Sequence, residues 1–92
     1  MEINTVEELD AAIEHGKYTS VGGYPIFFIT SDGAALSYDT VKDERNIIAE
    51  AIEDNDTRGG WRVEAVDVNW EDTDLIDDHT GDPIESAYGD DD

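Results

Sequence analysis

The chain has 92 residues, with 25 Asp and Glu against 5 Lys and Arg, a net charge of −20 and no cysteine. One domain of this length buries roughly 60–65 % of its unfolded surface, and eight aromatics with a set of Ile, Val and Leu suffice for such a core. The composition excludes disulfides, thiol nucleophiles and thiolate metal sites, and it disfavours direct contact with DNA, RNA or an anionic membrane, whose phosphates would repel it.

No run approaches the ~18 apolar residues of a membrane span. The acidic N-terminus lacks the basic-then-apolar order of a secretory signal. A cytoplasmic protein without membrane contact is the expectation.

A first helix is expected over 6–15. Thr5 is a good N-cap and Glu8 follows three residues later, completing a capping box. Val6, Leu9 and Ile13 form one apolar stripe, and Gly16 supplies the stop. Residues 18–21 read as a short strand, followed by a Gly22-Gly23 turn or bulge. The apolar run 25–30 suits a strand covered on both faces, and Ser31-Asp32-Gly33 a hairpin leading to a return strand over 34–38.

A second helix is expected over 40–54, capped by Asp39 or Thr40, with Val41, Ile48, Ala51 and Ile52 on its inner side. A polar loop covers 54–60. Residues 61–70 then alternate as a strand. Trp61, Val63 and Ala65 share one face, and Val66, Val68 and Trp70 the other. That phase switch is allowed at a bulge or where both faces are covered, and the latter predicts a central strand. Beyond Trp70 come an acidic loop, a turn over 78–83, a last short strand or docked arm over 84–88, and an acidic tail over 89–92. The expected fold is α+β: two helices packed on a small, mainly antiparallel sheet, in one domain over 1–88.

The charge is uneven. After Arg62 there is no base, and the remaining thirty residues carry twelve carboxylates. Such acidity favours a basic partner, and it also matches the excess-acid surfaces of halophilic proteins.

Tyr24-Pro25-Ile26-Phe27-Phe28-Ile29-Thr30-Ser31-Asp32-Gly33-Ala34-Ala35-Leu36, Trp61-Arg62-Val63, Asp67-Val68-Asn69-Trp70-Glu71-Asp72, Asp78-His79-Thr80-Gly81 and Ile84-Glu85-Ser86-Ala87-Tyr88 together resemble a family of small, mostly uncharacterised proteins carried by phages, prophages and other mobile elements. The resemblance covers residues 18–88. Many such relatives carry two CxxC pairs with the spacing of a zinc ribbon. By position, those sites correspond to Ser37 and Thr40, then Asp77 and Thr80. None is a thiolate, so the resemblance implies that packing and caps replace the metal, with Ser37 and Thr40 helping to start the second helix. It implies a mobile-element origin and a host-cell location, and brings no established activity.

Other constellations weigh little. With so many acids, close carboxylate pairs arise by chance and do not argue for acid–base catalysis. His15 fits a helix end, where positive charge suits the dipole. His79 fits a turn beside a carboxylate better than it fits a metal ligand. An EF-hand frame with Gly81 at position 6 places Ile76 at position 1, which fails. Gly22-Gly23 and Gly59-Gly60 lack phosphate-loop spacing. Of the tryptophans, Trp61 is expected in the core and Trp70 as an exposed anchor.

These readings converge on a noncatalytic binding protein without metal or cofactor. Its expected partner is a basic host protein, a nuclease or CRISPR effector subunit, blocked by DNA mimicry as anti-CRISPR and anti-restriction inhibitors do. The candidate partner-binding residues are Trp70, Glu71, Asp72, Asp74, Asp77, Asp78, Asp82 and Glu85, with Glu50 and Glu53 on the second helix. Exposed Asp43 and Glu44 would add to that helix's charge. The alternative is an acidic structural or housekeeping protein of a phage or halophile whose charge serves solubility alone. A small hydrolase or metal-dependent enzyme is a third, weaker reading.

Overall fold

Three helices and three strands follow one another as α1 (Val6–His15), β1 (Ile26–Thr30), β2 (Ala35–Ser37), α2 (Tyr38–Asp43), α3 (Arg45–Asp54) and β3 (Val63–Val68). They are seen in a computed structural model that describes residues 2–19, 22–72 and 74–87. The architecture is α+β, with an antiparallel sheet in the order β2-β1-β3.

α1 starts where the sequence places it. The Thr5 hydroxyl accepts the Glu8 N–H at 3.2 Å, and Glu8 Oε1 accepts the Thr5 N–H at 3.1 Å. Two orphan donors are thereby satisfied. Leu9 and Ala12 are buried, with Val6 and Ile13 packed beside them. Gly16 closes the helix at φ 103°, a backbone position that favours glycine.

The hairpin also forms as expected. Thr30 donates its N–H to the Ala34 carbonyl at 2.9 Å, and Gly33 sits at φ 88°. The Thr30 side chain is fully buried, yet its hydroxyl is satisfied within the turn by Asp32 and by the Ala34 N–H. That contact with Thr30 holds the Asp32 carboxyl below the usual carboxylate range.

The expected second helix is two helices. The break is at Glu44, with φ −103° and ψ 25°. The bend lets α2 lie over β1 and β2 while α3 packs on α1 and β3. A straight helix could not cover both halves of the sheet, and no Gly or Pro in the sequence marks the bend. The cap is Ser37, whose hydroxyl accepts the Thr40 N–H at 3.2 Å, rather than Asp39 or Thr40.

The strand over 61–70 is shorter than expected and lies at an edge, whereas β1 is central. Ile29 faces Ala65 but Thr30 faces Val63, so Glu64 is an extra residue, a β-bulge. The bulge puts Val63 on the same face as Val66 and Val68, opposite Thr30, Phe28 and Ile26. The phase switch in the sequence is thus the bulge, and double coverage is not needed to explain it. The helix-covered face of β1 is buried, and Phe27 and Ile29 on its other face are half-buried.

Both outer edges of the sheet are partly closed, which blunts edge-to-edge association. Along β3, the Ile3 N–H donates to the Glu64 carbonyl at 2.9 Å. Along β2, the Ala35 carbonyl accepts the Asp78 N–H, also at 2.9 Å. The 18–21 reading survives as one bridge, Tyr18 with Pro25, and Ser20 and Val21 lie outside the described residues. The last segment is a docked arm: Ile76 bridges Pro83 and the Ile84 N–H donates to Leu75. Tyr88 and the expected tail over 89–92 lie outside the described residues.

Candidate functional site

The end of β3, the start of β1 and the end of β2 meet at one end of the sheet, where Ile26 pairs with Val68 and Phe27 with Ser37. Asn69 organises this end. Its side chain is buried, and Nδ2 donates to the carbonyls of Asp72, Ile84 and Glu85 at 3.1, 3.3 and 3.2 Å. Oδ1 accepts the Asp72 N–H at 3.1 Å. Its backbone N–H donates to Pro25, and its carbonyl accepts the Ala87 N–H. A buried polar side chain is tolerated because it is saturated with partners.

Trp70 follows directly and is 47 % exposed, whereas Trp61 is half-buried against the core. The Trp70 ring stands against Tyr24, with centroids 4.6 Å apart and a 57° tilt. Tyr24 is aimed by its turn: its N–H donates to the Thr19 hydroxyl, and its carbonyl accepts the Thr19 N–H. Gly22 sits at φ 89°, and a Cβ there would lie 2.4 Å from the Tyr24 ring. Tyr18, 43 % exposed, donates from its hydroxyl to Glu85 Oε1 at 2.8 Å. That bond to Glu85 raises the Tyr18 pKa.

Beside this end lies a cleft of about 350 Å³ whose lining includes Ser37, Thr40, Asp77 and Thr80. These are the four positions that the sequence resemblance sets against CxxC pairs. They meet around the Asp77 carboxylate, which is 1 % exposed. Oδ2 accepts the Ser37 N–H at 2.9 Å, and Oδ1 accepts the His79 and Thr80 N–H groups at 2.7 and 3.0 Å. Burial alone would push this carboxyl up. Hydrogen bonds from the Thr40 hydroxyl, from Ser37 and from the Thr80 N–H outweigh that and hold it down at about 2. The hydrogen-bonded carboxylate thus joins Ser37, Thr40 and Thr80 around one centre.

Asp77 is therefore withdrawn from the candidate surface: a side chain this buried holds the fold together and does not reach a partner. Trp70, Glu71, Asp72, Asp74, Asp78, Asp82 and Glu85 are exposed on the C-terminal segment, and Glu50 and Glu53 are exposed on α3. Of the 22 described carboxylates, 20 are exposed, Glu44 is half-buried and Asp77 is buried. Asp43 is exposed as expected.

Three of the five bases link elements of the fold. Arg45 grips Asp10 through Nε and Nη2 at 2.8 and 2.7 Å, joining α3 to α1 and lowering the Asp10 pKa. Lys17 pairs with Asp39 at 3.4 Å. Arg62, the last base in the chain, donates to the carbonyls of Ile3 and Val63. The two ion pairs, Arg45–Asp10 and Lys17–Asp39, are solvent-exposed and contribute only about 0.2–1 kcal/mol each. Their larger effect is to occupy positive charge and leave an anionic exterior.

His79 is a turn residue, with its ring 5.0 Å from Trp61 and its Nε2 4.0 Å from Glu44. His15 ends α1. Among the described residues, no group of three His, Cys, Asp or Glu is placed to hold a metal ion. No described helix is long and apolar enough to cross a membrane.

Sequence reasoning picked out Trp70 but not its support. Asn69 and Tyr24 act through contacts across the fold. Only the glycine pair before Tyr24 hinted at an unusual turn there. Comparison with protein-family models, with curated proteins and with solved structures gives no match.

Proposed function

We propose that this chain is a noncatalytic acidic binding protein of a phage or other mobile element. It inhibits a host nucleic-acid-binding defence protein, a nuclease or CRISPR effector subunit, by occupying its basic surface as a DNA mimic. The mobile-element origin rests on the sequence resemblance. The mode of action rests on one observation above all: 20 of 22 described carboxylates are exposed, on a fold whose bases mostly tie its own elements together.

Duplex DNA presents one charge per ~1.7 Å of axis. A groove lined with Lys and Arg to hold phosphates also attracts a rigid array of carboxylates. Association is then steered by charge and weakens with salt. The C-terminal segment is the preferred face because it carries no base and is held by Asn69 and Asp77. The reading needs no cofactor and no catalytic group.

Affinity capture from the host, with identification of the retained proteins, tests this reading. The expected captive is a basic nucleic-acid-binding protein, released by salt and displaced by duplex DNA. The combined change Glu71→Gln, Asp74→Asn and Asp78→Asn should weaken capture. A captive indifferent to both DNA and these substitutions would refute the reading.

One observation favours the solubility reading. Exposed acids also populate α1, as Glu7, Glu8, Asp10 and Glu14, far along the chain from the C-terminal segment. If charge serves only solubility, no basic partner is captured; if it serves a saline interior, the fold also needs high salt.

A further inference from the structure

We propose that Trp70 and Tyr24 form an aromatic ledge that receives an arginine side chain of the basic partner. This rests on the reading above and specifies its recognition chemistry. Charge alone attracts any basic surface. A ledge gives the contact a fixed position and a preference among cations.

Three observations carry the assignment. First, Trp70 and Tyr18 are two of the four large apolar side chains exposed among the described residues, and both stand at this end of the sheet. An exposed large aromatic side chain on so polar a protein suits an interface anchor. Second, the ledge is built in advance. Asn69 fixes the backbone on one side of Trp70, and its bonds with Asp72 fix the turn on the other. Tyr24 backs the Trp70 ring, and Gly22 leaves the space that the Tyr24 ring needs. Little conformational entropy is then lost on binding. Third, the surroundings are anionic: Glu71 and Asp72 follow Trp70 directly, and the Asp74 N–H donates to Asp72 Oδ1.

An exposed aromatic side chain followed directly by two exposed carboxylates is complementary to a cation that can stack and hydrogen-bond at once. The guanidinium does both: its plane lies on the ring while its edge N–H groups reach the carboxylates. Lysine offers a compact, strongly hydrated charge that gains less from the ring. The occupant is therefore an arginine within a basic segment of the partner.

The test uses two probes of equal charge, a nona-arginine and a nona-lysine peptide, titrated against the whole chain at ~0.15 M salt. Wild type should bind the arginine peptide more tightly. Trp70→Ala should weaken arginine-peptide binding about five- to thirty-fold and leave the lysine peptide nearly unchanged. Trp70→Phe should retain part of the preference. An amide NMR spectrum establishes that each variant is folded. If both peptides bind but Trp70→Ala alters neither, the ledge is refuted while the acidic-surface reading stands. If neither peptide binds even at low salt, both fall.

Discussion

The Asp77 carboxylate accepts the backbone N–H of Ser37, forty residues earlier in the chain, at 2.9 Å. Ser37 ends β2 and caps α2, so one buried acid joins the C-terminal segment, a sheet edge and a helix start. Asp77→Asn replaces an acceptor with a donor among N–H donors. It should cost about 1–3 kcal/mol in urea unfolding. Asp78→Asn, one residue on and exposed, should cost less than about 0.5 kcal/mol.

The same group sets an acid limit. Its folded pKa, about 2, lies below the ordinary value of 3.8. Its stabilisation is therefore complete above the ordinary pKa and lost as pH falls through the folded one. That contribution is about 2 kcal/mol at neutral pH. The stability gap between wild type and Asp77→Asn should shrink between pH 4 and pH 2, read by denaturant unfolding at each pH. A gap that stays constant across that range would remove the carboxylate's charge from the explanation.

Gly22→Ala places a Cβ at φ 89°, within 2.4 Å of the Tyr24 ring. The left-handed backbone alone costs about 1–2 kcal/mol. The ring must also move, so the Tyr24 and Trp70 aromatic NMR signals should shift together. Gly23→Ala has a similar positive φ of 64° but open space at its Cβ. It should strain the backbone and leave those ring signals in place.

Net charge makes a prediction of its own. Repulsion among exposed carboxylates is screened as the Debye length falls to about 8 Å at 0.15 M salt. Stability should rise from ~0.02 M to ~0.5 M salt, with the chain already folded at ~0.15 M. Folding only above about 1 M would instead favour a saline-adapted protein, and circular dichroism across a salt series decides between them.

Convergence of Ser37, Thr40, Asp77 and Thr80 on one cleft allows a direct test of the family resemblance. The quadruple change Ser37→Cys, Thr40→Cys, Asp77→Cys and Thr80→Cys should create a tetrahedral thiolate site. Cobalt titration should give the charge-transfer bands of four-thiolate coordination, and zinc should displace the cobalt. A folded variant that takes up neither metal would count against the resemblance.

Helix α1 was legible in full because a capping box, an apolar stripe and a stop glycine all act within a few residues. The β1–β2 hairpin was legible for the same reason: Gly33 and its flanking strands are local. Glu44 was not, since the bend there answers to what α2 and α3 each cover. The strand over 61–70 was legible as a strand but not in its place. The switch of phase was visible, but pairing with β1 showed that Glu64 bulges and that β3 is an edge. At the candidate site, the exposure of Trp70 was expected, and Asp77 was misassigned because nothing local distinguishes a buried aspartate from its exposed neighbours.

By itself, then, the sequence determined the charge, the absence of thiolates, α1 and the hairpin, all carried by composition or by spacing of a few residues. Tertiary structure alone decided that Asp77 lies inside while Asp78 lies outside, that Tyr24 backs Trp70, and that four scattered positions share one cleft. Each of those depends on contacts between residues tens of positions apart, whose geometry exists only once helices and sheet have packed against each other.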